Sequence, residues 1–104
     1  MSTIKIYLAS ETPNTDNLKD FCLAISPALG GLTVLPALFG TWVDPRTNEV
    51  GIDDYSYILI AESSVDDTIL SLINVNLRGY LKRENQYAAL LCVDSDPRLV
   101  SQDS

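Results

Sequence analysis

The chain contains no histidine. That removes the commonest general base at neutral pH, the Ser-His and Cys-His nucleophile systems, and imidazole ligation of a metal. Basic residues are scarce: seven Lys and Arg stand against fourteen Asp and Glu, a net charge of −7. A chain of that sign does not bind nucleic acid by neutralising phosphates, so no direct nucleic-acid partner is expected. It is steered instead toward a basic protein surface. Cys22 and Cys92 lie far apart in apolar surroundings and outside any C-x-x-C pair, so buried free thiols are expected, with a disulfide left open if the fold brings them together. No phosphate-binding Gly-rich loop is present, since "LGGL" lacks both the spacing and the lysine. No metal and no cofactor is expected. No run reaches membrane-spanning length, and "MSTIKIYLAS" has no basic region followed by a long apolar stretch. The expectation is a cytoplasmic protein without membrane contact, residing in a bacterial host if it is phage-encoded.

What is present suits a single globular domain. The 104 residues are 46% apolar and 20% charged, enough to bury one core without staples. "TIKIYLAS" alternates Ile4, Ile6 and Leu8 with polar or aromatic neighbours and reads as a half-buried strand. Thr12 and Pro13 fit a helix start, Asp16 suits its positive end, and Leu18, Phe21, Cys22 and Ile25 follow at helical spacing. Pro27 and Gly30-Gly31 predict its end near Ser26. "LTVLPALFGTWVD" reads as a second strand, at an edge or bulged because of Pro36, and "DDYSYILIAES" as a third, the two pairing as a long hairpin. Ser64, with Asp67 three residues on, predicts the cap of a second helix with a stripe of Leu70, Ile73, Leu77 and Tyr80 or Leu81. "YAALLCV" reads as a strand buried on both faces, and "DSDPRLVSQDS" as an acidic tail.

The order β-α-β-β-α-β predicts an α+β, ferredoxin-like domain over residues 1–96, a four-stranded antiparallel sheet with both helices on one face, followed by a tail over 97–104. The open sheet face would carry Tyr7, part of the segment from Leu35 to Phe39, and Tyr55 and Tyr57. A partly aromatic open face finds cover, and a homodimer through it is expected.

Three of the seven basic residues, Arg78, Lys82 and Arg83, fall within six positions. Cations at a helix C-terminus interact favourably with its dipole, by roughly 0.3–1 kcal/mol each, and this architectural role is weighed against an anion or acidic-partner site. Asp44, Glu49, Asp53, Asp54, Asp66 and Asp67 read as a solvated acidic rim, because adjacent strand residues point to opposite faces and Asp66-Asp67 suits a helix start. Trp42, the sole tryptophan, is a packing residue or an interface anchor.

The order of four pieces resembles domain-of-unknown-function family 3574, small bacterial and phage proteins. These are "IKIYLAS", "GLTVL", Gly40-x-Trp42 with Asp44 close behind, and Tyr80-x-Lys82-Arg83-x-x-Gln86 leading into the last strand, together spanning Ile4 to Val93. The spacing from "GLTVL" to Gly40 is one residue longer than the family pattern, Asp54 stands nearest to its usual Glu, and Glu84-Asn85 replaces an aromatic. The resemblance implies a ferredoxin-like fold and supplies no activity. With Tyr57, the motif residues Trp42, Asp54, Tyr80, Arg83 and Gln86 form the candidate binding set; they surround one site or hold the hairpin onto the second helix. The expected function is a small acidic non-enzymatic protein acting through a protein interface. Its narrower form is a phage-encoded inhibitor or decoy of a basic, nucleic-acid-binding defence protein. The alternative is a dimeric small-molecule sensor or simple enzyme with a Tyr/Arg/Asp pocket.

Overall fold

Two periodicities, two residues in the strands and 3.6 in the helices, place one apolar surface of each element on a common core. The computed structural model describes residues 1–10 and 16–102. In chain order these are β1 (Ser2–Ser10), α1 (Asp16–Leu29), β2 (Thr33–Ala37), β3 (Gly40–Val43), β4 (Val50–Asp53), β5 (Tyr55–Ser63), α2 (Asp67–Arg83), β6 (Ala88–Val93) and β7 (Asp96–Ser101). Ile4, Ile6 and Leu8 of β1, Leu59 and Ala61 of β5, Ala89 and Leu91 of β6 and Val100 of β7 meet the helices. From α1 come Leu18, Phe21, Ile25 and Leu29, and from α2 Ile73, Leu77, Tyr80 and Leu81, all buried.

Among the described residues the strands form an antiparallel five-stranded sheet, ordered β2-β5-β1-β6-β7, and a separate two-stranded β3-β4 hairpin. This corrects the four-stranded expectation in two places. The segment from Leu32 to Asp44 is not one strand: β2 pairs with β5 along Thr33↔Ile60 to Ala37↔Ser56, and the chain then leaves the sheet to make the hairpin. The long pairing of "LTVLPALFGTWVD" with "DDYSYILIAES" is thereby split, with Pro36 kept at the outer edge, where a missing N–H costs no ladder bond. Second, residues 96–101 are not a tail. A two-residue turn at Asp94 (φ 55°) and Ser95 folds them onto β6, and Val100 is buried. The terminal residues 103–104 lie outside the described residues. β6 is interior to the sheet but covered on one face: Ala89 and Leu91 are buried and Leu90 is exposed.

The helix ends also differ from expectation. Pro27 sits inside α1, which runs on to Leu29. Pro27 forfeits the one N–H bond a helical residue gives to the carbonyl four before it, a cost set against the burial of Leu29 that continuation brings. Gly30 and Gly31 then adopt φ 78° and 115°, and Gly31 N–H donates to the Ser26 carbonyl at 3.1 Å. The expected cap at Thr12 and Pro13 lies outside the described residues. The cap of α2 is Asp66, not Ser64: its carboxylate accepts from Ile69 N–H at 2.9 Å. At the other end Asn85 (φ 53°) turns the chain, with Asn85 N–H donating to Lys82 O and Gln86 N–H to Leu81 O. This is a Schellman stop with asparagine in the left-handed position.

Candidate functional site

β1 ends in a polar residue on its buried face. Ser10 continues the parity of Ile4, Ile6 and Leu8 and is itself buried. Its Oγ donates to Glu84 Oε2 at 3.0 Å, and Asn17 Nδ2 from the first turn of α1 donates to Glu84 Oε1 at 2.9 Å. Glu84 is the C-cap of α2 and only 8% exposed. A helix C-terminus disfavours a carboxylate, and so does burial, so the two donors are what make this position tenable. One turn back, Tyr80 Oη donates to the Ala9 carbonyl at 2.9 Å, and its ring lies against Phe21, centroids 5.8 Å apart. Burial, and after it the charge of Glu84, holds the Tyr80 phenol well above the ordinary tyrosine pKa, so it stays protonated.

Two concavities open on the helix side of β5. A cleft of about 210 Å³ is lined by Ser10, Ile52, Asp53, Asp54 and Tyr55. Ser10 and Tyr55 face one another across the β1-β5 ladder. An apolar groove of about 520 Å³ lies between α1 and β2, lined by Leu18, Cys22, Leu23, Val34, Pro36 and Tyr57, with Lys19 at its side. Tyr55 and Tyr57 are two residues apart on one strand and share its helix-facing side, so the acid-bearing cleft and the apolar groove are neighbours. Burial pushes the Cys22 thiol up, which keeps it a neutral part of the groove wall. Both cysteines are free. Among the described residues no group of three His, Cys, Asp or Glu side chains comes together as a metal site.

The six expected binding residues do not form one cluster. Asp54 lines the cleft and Tyr57 the groove. Tyr57 therefore faces the helices and not the open sheet face; the same parity moves Tyr55 with it. Tyr80 is wholly buried and serves the core. Trp42 lies on the hairpin over Gly51, whose missing side chain makes room for the indole ring. Gln86 is occupied by backbone: its N–H closes α2 and its carbonyl accepts from Gln102 Nε2 at 2.6 Å. Arg83 folds back along its own helix, its guanidinium passing over Gly79. Among the described residues no ion pair joins Arg83 to Asp54.

Ser10, Asn17 and Glu84 carry no motif in the sequence that marks them as site residues, and Asp53, read there as part of the acidic rim, lines the cleft. Glu84 left one trace, an acid directly after Lys82-Arg83 at a helix end that favours cations.

The architecture is that of a small α+β domain, two helices on one face of an antiparallel sheet. Solved proteins share it. A phage SAM lyase in complex with S-methyl-5'-thioadenosine superposes with a TM-score of 0.72 at 9% identity, covering 96% of this chain and 88% of that one. A phage SAM lyase in the apo state gives 0.68 at 12% identity, with the same 96% and 88% coverage. No family model and no curated protein matches the chain. The likeness corrects the expectation of a non-enzymatic inhibitor or decoy: these two solved proteins with the same fold are lyases, one of them in complex with S-methyl-5'-thioadenosine. Among the described residues no helix is long and apolar enough to cross a membrane.

Proposed function

We propose that this chain is a small-molecule enzyme of the S-adenosylmethionine-lyase kind, binding a nucleoside sulfonium on the helix side of β5. The observation that carries the reading is the adjacency of the two concavities. The cleft bears Asp53 and Asp54, suited to a cationic sulfonium and ammonium; the groove bears Tyr57, Pro36 and Val34, suited to a flat, weakly polar base. Ser10 lines the same cleft, its hydroxyl donating to Glu84. S-methyl-5'-thioadenosine is what remains of S-adenosylmethionine when the bond from sulfur to the amino-acid carbon breaks and its electron pair goes to sulfur. In a lyase no water enters, so the electrons replacing that bond at carbon come from the fragment itself. Acids at the cleft favour the cationic substrate over the neutral thioether, which aids product release.

The strand order β2-β5-β1-β6 with both helices on one face supports a ferredoxin-like reading of the domain, extended by β7 and the β3-β4 hairpin. A homodimer through the open sheet face is compatible with this function, because both concavities lie on the other side. The cytoplasmic setting expected from the sequence belongs with it, since S-adenosylmethionine is made and used inside cells.

Calorimetric titration with S-adenosylmethionine and with S-methyl-5'-thioadenosine, and chromatography of the incubated substrate, test the reading. Binding of both and formation of the thioether are expected. Asp53→Asn/Asp54→Asn should weaken the cation roughly tenfold and leave the neutral thioether nearly unaffected. Binding without turnover would reduce the protein to a sensor of these ligands, and absence of both binding and turnover would refute the proposal.

A further inference from the structure

Among the described residues the β3-β4 hairpin ladders only with itself, from Gly40↔Asp53 to Val43↔Val50. Residues paired across a ladder share a face, and neighbours along a strand alternate. Thr41, Val43, Val50 and Ile52 therefore lie on one face of the hairpin, and Trp42 and Gly51 on the other. The first face is apolar and open to solvent: Val43 is 55% exposed, Val50 70% and Ile52 65%. Ile52 also lines the cleft, with Ser10, Asp54 and Tyr55. The uncovered face is thus continuous with one wall of the candidate site.

The hairpin holds its own shape. Asp44 N–H donates to the Glu49 carbonyl at 2.9 Å, Asn48 N–H to the Asp44 carbonyl at 2.7 Å, and Arg46 N–H to the Asp44 carboxylate at 2.8 Å. Its connections to the sheet are short steps outside the strands, Leu38-Phe39 before it and Asp54 after it. Its base sits close on β5: Ser56 Oγ donates to the Asp53 carbonyl at 3.4 Å and lies 2.8 Å from where a β-carbon on Gly40 would stand. We propose that the hairpin is a lid, which on ligand binding turns about this base and lays Ile52, Val50 and Val43 over the cleft. The inference rests on the substrate reading above and adds the part that shuts the site. Closure removes apolar side chains from water and excludes water from a reaction in which none takes part. The lower local dielectric also strengthens the attraction of Asp53 and Asp54 for a sulfonium.

Amide hydrogen exchange on the full chain, with and without saturating S-methyl-5'-thioadenosine, reads the lid, and calorimetry on the same sample shows whether the ligand is bound. A two-stranded hairpin on its own is marginally stable, so its amides exchange fast in the free protein. With ligand bound, exchange across β3 and β4 should slow by about tenfold or more. Val43→Ser/Val50→Ser changes two exposed side chains that line neither concavity. It should speed release of the thioether by about tenfold while the thermal midpoint stays nearly constant. If that variant does not fold, the exchange measurement on the wild type decides. Bound ligand with the hairpin still exchanging at its free rate overturns the lid and leaves the substrate reading standing, whereas absence of binding overturns both. Protection that follows protein concentration and not ligand assigns the apolar face to a protein contact and overturns the lid as well.

Discussion

Ser10 and Glu84 are 74 positions apart in the chain and meet side chain to side chain, the hydroxyl donating to the carboxylate at 3.0 Å. The contact joins the end of β1 to the C-cap of α2, and Ser10 also lines the cleft. Ser10→Ala leaves the buried carboxylate with Asn17 as its remaining side-chain donor in this pair of contacts, and should destabilise the protein by about 1–3 kcal/mol. The urea midpoint should fall at constant m-value. Ser10→Ala/Glu84→Ala should lose less than the sum of the single changes, and strict additivity would show that the pair is uncoupled.

Tyr80 links stability to alkaline pH. Its folded-state pKa is raised above the unfolded value near 10, chiefly by burial. Below that value both states hold the proton and stability does not depend on it. Above it the unfolded chain binds fewer protons than the folded one, so stability is lost as pH rises toward the folded-state pKa. Denaturant melts taken across alkaline pH should show a decline that Tyr80→Phe makes shallower. The same change removes the hydrogen bond to Ala9 and should cost about 1 kcal/mol at neutral pH.

Arg83→Glu should cost about 1 kcal/mol or less, from the helix dipole alone, and Lys82 should behave likewise. Because Arg83 crosses Gly79 and is not paired with Asp54, Asp54→Asn and Arg83→Gln should be additive in stability. A coupling of more than about 0.5 kcal/mol in that cycle would contradict the observed placement.

Trp42, the sole tryptophan, reports on the hairpin. A β-carbon added at Gly51 would overlap its indole ring. Gly51→Ala should therefore displace the ring and shift tryptophan fluorescence, with little change in global stability, since the hairpin hydrogen-bonds outside the main sheet. An unchanged spectrum would place the indole elsewhere.

The local reading of the sequence succeeded where period and burial coincide. The alternation of Ile4, Ile6 and Leu8 and the stripe of Ile73, Leu77, Tyr80 and Leu81 announce faces that must be buried, whatever they pack against. It failed where a short segment was ambiguous on its own. "DPRLVS" becomes a strand because the turn at Asp94 lays it on β6, and the Asp94 side chain and backbone are tied to Thr3 of β1. "GTWV" leaves the sheet although its composition suits a strand, because β5 already has β1 and β2 on its two sides.

The sequence by itself determined that imidazole chemistry is excluded, that the chain is acidic, and that two helices and several strands share one apolar core. Only the tertiary structure decided which polar residues stand together. Ser10, Asn17 and Glu84 come from three elements, and Asp54 and Tyr55 share a cleft with Ser10 because β5 is paired to β1 in the register Ser10↔Tyr55. A shift of one residue in that ladder would send Tyr55 and Tyr57 to the open face, since strand side chains alternate with a period of two. Composition cannot fix such a register. It is set by the burial of Leu8, Leu59 and Ala61 against the helices, a condition that exists only once the sheet has formed.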